Sequence, residues 1–272
     1  DRSGAVAELL RAKRVVALTI AGRSTESGIP DYRSPEALKR PRRPIQGPEF
    51  VRSAKLRRRY WARAMVGWES FRRAEPNAGH RALASLEKSG LLRGLITQNV
   101  DRLHHKAGSR QVVELHGALA DVICLECHRM EERDDVQARM REENPQWIDG
   151  AAPLAPDGDA ELADDIVERF VPPACNVCGG AMKPDVVFFG HNVAKPVVDR
   201  AFGMLDEAEA LLIAGTSLTV FSGYRFLLKA AERGMTIAIG SRGPVRGEER
   251  ATLKIDAPVG ESLSALSELL SR

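Results

Sequence analysis

Short apolar runs alternate with segments of helical periodicity along most of this 272-residue chain. Residues 2–12 carry Val6, Leu9 and Leu10 at helical spacing, and residues 14–20 follow as a run of strand length. Residues 50–73 set Tyr60, Trp61, Met65, Trp68 and Phe71 on one side of one or two helices and arginines on the other. Asn77 then caps a helix running to about Glu87, Gly90 ends it, and residues 91–96 form a buried strand. A second short run covers residues 112–115. Residues 131–170 are dense in acids, prolines and glycines and read as an insertion, and residues 184–190 read as a return to the main sheet. A helix near residues 197–207, a strand at 210–214, a helix at 223–233 and a strand at 235–239 complete the pattern. Strands alternating with helices predict an α/β fold with a doubly wound parallel sheet.

Composition narrows the reading. A net charge of +3 among 28% charged residues gives no general pull toward nucleic acid or a membrane surface. No apolar run approaches the roughly 20 residues that span a bilayer, and no signal peptide is visible. Cytoplasmic placement is the expectation, or the mitochondrial matrix for a eukaryotic chain that has lost a leader before Asp1. The arginine-rich, aromatic segment at residues 50–73 also fits a nucleic-acid stacking surface, a minor reading beside that of a wet helix face. The sequence leaves the oligomeric state open.

All the cysteines fall into two pairs, Cys124-x-x-Cys127 and Cys175-x-x-Cys178. Paired knuckles in a chain of this length predict one structural zinc ion on four thiolates, with a redox pair as the competing reading. Four thiolates close the tetrahedron, so the metal would not be catalytic. His128, beside the first pair, is expected to face solvent.

Chemistry gathers where strands end. Thr97-Gln98-Asn99-Val100-Asp101 places two amides and a carboxylate at the carboxyl end of a strand, where open α/β sheets bind ligands. Glu114-Leu115-His116-Gly117 delivers a histidine suited to moving a proton. Residues 21–34, a small-residue turn and helix start after the first strand, have the form of a phosphate-binding βα turn, with an ordinary βα turn as the competing reading, since Ile20 stands where a dinucleotide fingerprint would have its first glycine. Gly215-Thr216-Ser217 is a second such turn, suited to a ribose or phosphate. Residues 35–48, rich in proline and arginine, read as a long functional loop.

Taken together, Ala21-Gly22-Arg23-Ser24, Gly28-Ile29-Pro30-Asp31-Tyr32-Arg33-Ser34, the Thr97–Asp101 and Glu114–Gly117 motifs, the cysteine pairs, Lys183-Pro184-Asp185-Val186-Val187-Phe188-Phe189-Gly190 and Gly215-Thr216-Ser217-Leu218 resemble the sirtuin signature set, in sirtuin order. Arg43-Pro44-Ile45-Gln46, Tyr60-Trp61-Ala62-Arg63, Leu154-Ala155-Pro156-Asp157-Gly158-Asp159 and Ser222-Gly223-Tyr224-Arg225-Phe226 are similar to the family's class II branch. The resemblance implies a discontinuous Rossmann-like NAD-binding domain of residues 1–117 and 184–272, a zinc module with an inserted loop at 118–183, and a cofactor loop and helical substrate-side segment at 35–73. It implies NAD-dependent removal of acyl groups from protein lysines, with nicotinamide released and the acyl group transferred to ADP-ribose.

By the same resemblance His116 is the general base and Asn99 and Asp101 face nicotinamide. Gln98 meets the ribose, and Ala21, Gly22, Ser24, Thr25, Asp31, Tyr32, Arg33, Gly215, Thr216, Ser217 and Ser241 complete the cofactor site. Two positions depart from the family pattern. Ile20 replaces a glycine and Ser241 replaces an asparagine, so weakened NAD binding with preserved chemistry is expected. A weakly active NAD or ADP-ribose binder, or a protein mono-ADP-ribosyltransferase, is the alternative. A zinc-containing nucleic-acid binder stands further off.

Overall fold

The computed structural model describes residues 2–11, 13–20, 27, 29, 45–145 and 167–270. Its strands, in chain order, are β1 (Val15–Thr19), β2 (Leu92–Thr97), β3 (Val112–Glu114), β4 (Gly117–Cys124), β5 (Met130–Glu132), β6 (Met182–Val186), β7 (Ala210–Ala214), β8 (Thr236–Gly240) and β9 (Leu253–Ile255). The chain divides into two compact units. One comprises Asp1–Ser27, Glu75–Leu115 and Val193–Arg272, and the other Gly28–Ala74 and His116–Asn192.

The first unit is a parallel sheet of order β3-β2-β1-β7-β8-β9. Strands β1 and β7 are buried at every residue, as apolar runs covered on both faces must be. Alternation along β1 sends Val15 and Ala17 into one apolar cluster with Leu10, Leu83, Leu95, Leu263 and Leu266. Val16 and Leu18 enter the other, with Ile96, Leu205, Ile213, Phe226 and Leu227. Each fully buried Leu or Ile side chain contributes about 1.5–3 kcal/mol by leaving water. The helix Ala78–Lys88 begins in a capping box in which Asn77 accepts from the His80 N–H and the His80 ring accepts from the Asn77 N–H. Strand order reverses between β1 and β7, so their carboxyl ends flank the crevice where such sheets take ligands. Strand β9 and the helix Val259–Leu270 lie beyond the last element that the sequence pattern predicts.

The second unit holds the antiparallel sheet β5-β4-β6. Residues 184–190 were expected to rejoin the main sheet, but β6 pairs with β4, with Cys124 opposite Met182 and Ile123 opposite Lys183. Pro184 explains the difference: it has no N–H to give a central strand and fits an edge, which β6 is. The aromatic face read from the sequence is real. Tyr60, Trp61, Met65, Trp68 and Phe71 on the helix Ala54–Arg72 are all buried, and they offer no stacking platform for bases. The Trp61 indole donates to the Met182 carbonyl at 2.9 Å. The insertion contains a helix, Arg133–Glu143, that its polar sequence concealed. Arg133 is only 3% exposed. It donates to Gln137 Oε1 at 2.6 Å and to the Ala64 carbonyl at 3.2 Å, and its guanidinium lies 5.3 Å from the Trp61 ring centre and 4.9 Å from that of Trp68. Burial pushes Arg133 down to about 10.

Candidate functional site

In the first unit the site begins where β1 and β2 end side by side. Thr19 and Thr97 are in register, and the Thr19 hydroxyl donates to Thr97 Oγ1 at 2.9 Å. Thr97 Oγ1 also accepts the Asn99 N–H at 3.1 Å, and the Gln98 N–H donates to the Thr19 carbonyl at 3.0 Å. His104 Nε2 lies within hydrogen-bond distance of Thr19 Oγ1, at 3.0 Å. The His104 ring packs 4.7 Å from the His80 ring. Every one of these side chains is buried, so the backbone of Gln98 and Asn99 is held by hydrogen bonds that water cannot replace.

Gln98 and Asn99 are each 6% exposed. The Gln98 amide donates from Nε2 to Ser222 Oγ at 2.5 Å. Its Oε1 is buried and has no hydrogen-bond partner among the described residues. A buried acceptor left unmatched costs about 1–3 kcal/mol, so it marks a place for a ligand's donor. Asp101 accepts the Leu103 N–H at 2.9 Å and opens the short helix Leu103–Lys106. This arrangement fits NAD, whose ribose hydroxyls are donors.

The other half of this crevice is the turn after β7. The Gly215 N–H donates to the Gly240 carbonyl at 2.9 Å, and Thr216 Oγ1 accepts the Leu218 N–H at 2.8 Å. Ser241 is buried, and its hydroxyl donates to the Thr216 carbonyl at 3.2 Å, so the structure brings Ser241 and Thr216 together. Ile20 is partly buried against the apolar cluster that holds Val16 and Leu18, and its Cδ1 lies beside Gly223. Ala21, Gly22, Ser24, Thr25, Asp31, Tyr32 and Arg33, with residues 35–44 and 154–159, lie outside the described residues.

His116 opens the second unit, one residue after Leu115, whose N–H is held by the Thr97 carbonyl at 2.8 Å. Within its own unit the His116 carbonyl accepts the Val187 N–H at 2.9 Å. Gly117 follows with φ of 72°, and a Cβ there would collide with the Asp185 carbonyl. The glycine is therefore what lets the histidine backbone lie flat on the end of β6. Lys183 secures the same turn, donating to the Pro184 carbonyl at 2.8 Å and the Val186 carbonyl at 2.6 Å. Burial pushes Lys183 down to about 8, against the opposing pull of the Asp185 charge.

The cysteine pairs converge in the second unit. Cys124 and Cys178 sulfurs are 3.5 Å apart, those of Cys127 and Cys175 are 3.7 Å apart, and all lie within 4.8 Å of one another. A tetrahedral zinc with bonds of about 2.3 Å separates its sulfurs by about 3.8 Å, so the cluster fits that ion. The Glu126 and Cys127 amides point at Cys124 Sγ and the Gly180 amide at Cys178 Sγ, at 3.4–3.5 Å, which suits thiolates rather than thiols. Among the residues that sequence reasoning missed are Thr19, Thr97 and Ser222. The two threonines carried a faint signal, since each is the hydroxyl residue closing an apolar strand.

Known proteins resemble this chain over most of its length. The model of the Sir2 family matches residues 20–222. The chain is 49% identical over 254 residues to the mitochondrial NAD-dependent protein lipoamidase sirtuin-4 of Bos taurus, covering 92% of this chain and 81% of that protein. It is 48% identical over 268 residues to NAD-dependent protein deacetylase 1 of Mycobacterium avium, covering 97% and 94%. A solved complex described as Sir2, p53 peptide and NAD+ superposes with a TM-score of 0.75 at 29% identity, covering 97% of this chain and 96% of that one.

Proposed function

This chain belongs to the Sir2 family, and we propose that its NAD-dependent protein deacylase activity is carried by Gln98, Asn99, Asp101 and His116. The observation that carries the reading is the buried Gln98 Oε1, an acceptor waiting for a donor at the carboxyl end of β2. Gln98 accepts a hydrogen bond from a ribose hydroxyl there, and Asn99 and Asp101 orient the nicotinamide end. Bound NAD supplies the ribose carbon that takes the acyl oxygen as nicotinamide departs, and the ADP-ribose that carries the acyl group away.

His116 acts as the base. A neutral imidazole nitrogen takes a proton from a ribose hydroxyl near pH 7, the range in which histidine works best. The hydrogen bond from the Val187 N–H to the His116 carbonyl supports that role by keeping the base from drifting. Thr216, held by Leu218 and Ser241, closes the cofactor side. The four thiolates take zinc as a structural ion, because they leave no open coordination position for chemistry. The substrates are acylated lysine side chains of proteins.

The test is to incubate the full chain with NAD and lysine peptides bearing acyl groups of graded length and charge, following free nicotinamide and O-acyl-ADP-ribose by mass spectrometry. Wild type is expected to form both. His116→Ala is expected to lose roughly 10²- to 10⁴-fold in rate, the usual reach of a general base. A His116→Ala rate equal to wild type overturns the assignment of the base. ADP-ribose appearing on protein without peptide deacylation would favour the transferase reading.

A further inference from the structure

Gly223 is the third residue of the helix Phe221–Glu232, and its backbone has no positive φ. Nothing in the chain path therefore requires glycine, which costs a helix about 0.5–1 kcal/mol relative to alanine. Space requires it. A Cβ at position 223 would sit 3.1 Å from Ile20 Cδ1, 3.2 Å from Gln98 Nε2 and 3.3 Å from Gln98 Cδ. Both neighbours are constrained. Ile20 is packed against the apolar cluster, and Gln98 is held at Nε2 by Ser222 Oγ. The same side chain that Gly223 accommodates carries the buried, unmatched Oε1.

We propose that Ile20 and Gly223 are a size-matched pair that positions the Gln98 amide, and that Ser222 fixes its orientation by taking the Nε2 hydrogen. With Nε2 so engaged, Oε1 is presented as an acceptor, and the ligand group it selects is a hydroxyl donor such as that of a ribose. Ile20 thus supports the cofactor site from behind. It takes the volume that a side chain at 223 would otherwise fill. Ile20, Ser222 and Gly223 are positioning residues, because they act through Gln98. This inference rests on the reading of Gln98 as the residue that meets the cofactor ribose.

The experiment is calorimetric titration of the full-length wild type and variants with ADP-ribose, alongside Tm without ligand and KM for NAD and for peptide. Gly223→Ala is expected to weaken ADP-ribose binding roughly 5- to 10-fold, the size of one lost hydrogen bond, and to raise KM for NAD while kcat and the peptide KM change little. Ile20→Val removes Cδ1 and is expected to restore most of that loss in the double variant with Gly223→Ala. Ser222→Ala adds no bulk, so it tests the orientation independently of folding, and a loss of about 5-fold in affinity is expected. Affinity unchanged in Gly223→Ala and in Ser222→Ala, or losses that simply add in the double variant, overturns the positioning set. Losses of kcat and both KM values that track a fallen Tm also overturn it, since a purely structural role would produce them. Failure of wild type to bind ADP-ribose overturns the underlying reading of Gln98 and with it this one.

Discussion

Strand β7 reads Ala-Leu-Leu-Ile-Ala and is buried at every position, while β6 reads Met-Lys-Pro-Asp-Val and buries a lysine among its apolar neighbours. The contrast extends to the units these strands belong to. Among the described residues, the charged residues buried as a whole are Arg133 and Lys183, and the Glu131 side chain is buried too; all three lie in the second unit. The buried polar groups of the first unit are threonines, serines, amides and histidines. The parallel sheet is held by apolar area that any well-sized hydrocarbon can supply. The small sheet and its helices are held by specific polar geometry: a guanidinium between two indoles, an ammonium on two carbonyls and a thiolate cluster. The first kind of core tolerates chemical drift so long as volume is kept, whereas the second fails when one donor or ligand is lost.

The largest expected effect separates the two units. Chelation, or Cys124→Ser, is expected to release one zinc per chain and unfold the second unit while the parallel sheet keeps its secondary structure. Metal clusters of this type supply on the order of 10–16 kcal/mol. A colorimetric zinc assay and circular dichroism read the outcome, and collapse of both units together would break the comparison. Next in size is Leu95→Ala, at a side chain with no exposure in the first core. A loss of about 2–5 kcal/mol is expected in urea unfolding, with zinc still bound.

A pH series sharpens the second unit. Lys183 is held near 8 in the fold against 10.5 outside it, so the unfolded chain binds more protons between those values. Stability from this group therefore rises with pH from about 8 to about 10.5, by on the order of 3 kcal/mol. Denaturation at stepped pH should show that rise in wild type and not in Lys183→Met. The smallest effect is expected on the first unit's surface, where Lys195 and Asp199 pair at 2.6 Å with both side chains exposed. Asp199→Asn should change stability by less than about 0.5 kcal/mol, and a larger change would mean that surface charge matters more to this unit than its apolar core implies.

Much of the parallel sheet was legible because its strands are covered on both faces, which turns each into a continuous apolar run between helical segments. Gln98, Asn99, Asp101 and His116 stood out in the sequence as candidate chemistry, since polar residues at a strand end have few structural reasons to be there. The helix Arg133–Glu143 was not, because Val136 and Met140 are its only buried apolar residues and its other buried positions are Arg133 and Gln137. Periodicity counts hydrocarbon and cannot foresee a buried guanidinium. The partner of β6 was equally hidden, because register is chosen by a strand far away in the chain.

The sequence by itself determined most of the alternation of strands and helices along the chain, the two cysteine pairs by their spacing and the residue types available for catalysis. Those properties are local: each is set by neighbours a few positions away. Tertiary structure alone decided that β6 joins β4, that Ser241 ties to Thr216, and that the Ile20 side chain lies beside Gly223. Side-chain direction depends on which distant atoms leave room for it. A side chain at 223 would meet Ile20 and Gln98 within 3.3 Å, a fact that no pattern along the chain encodes.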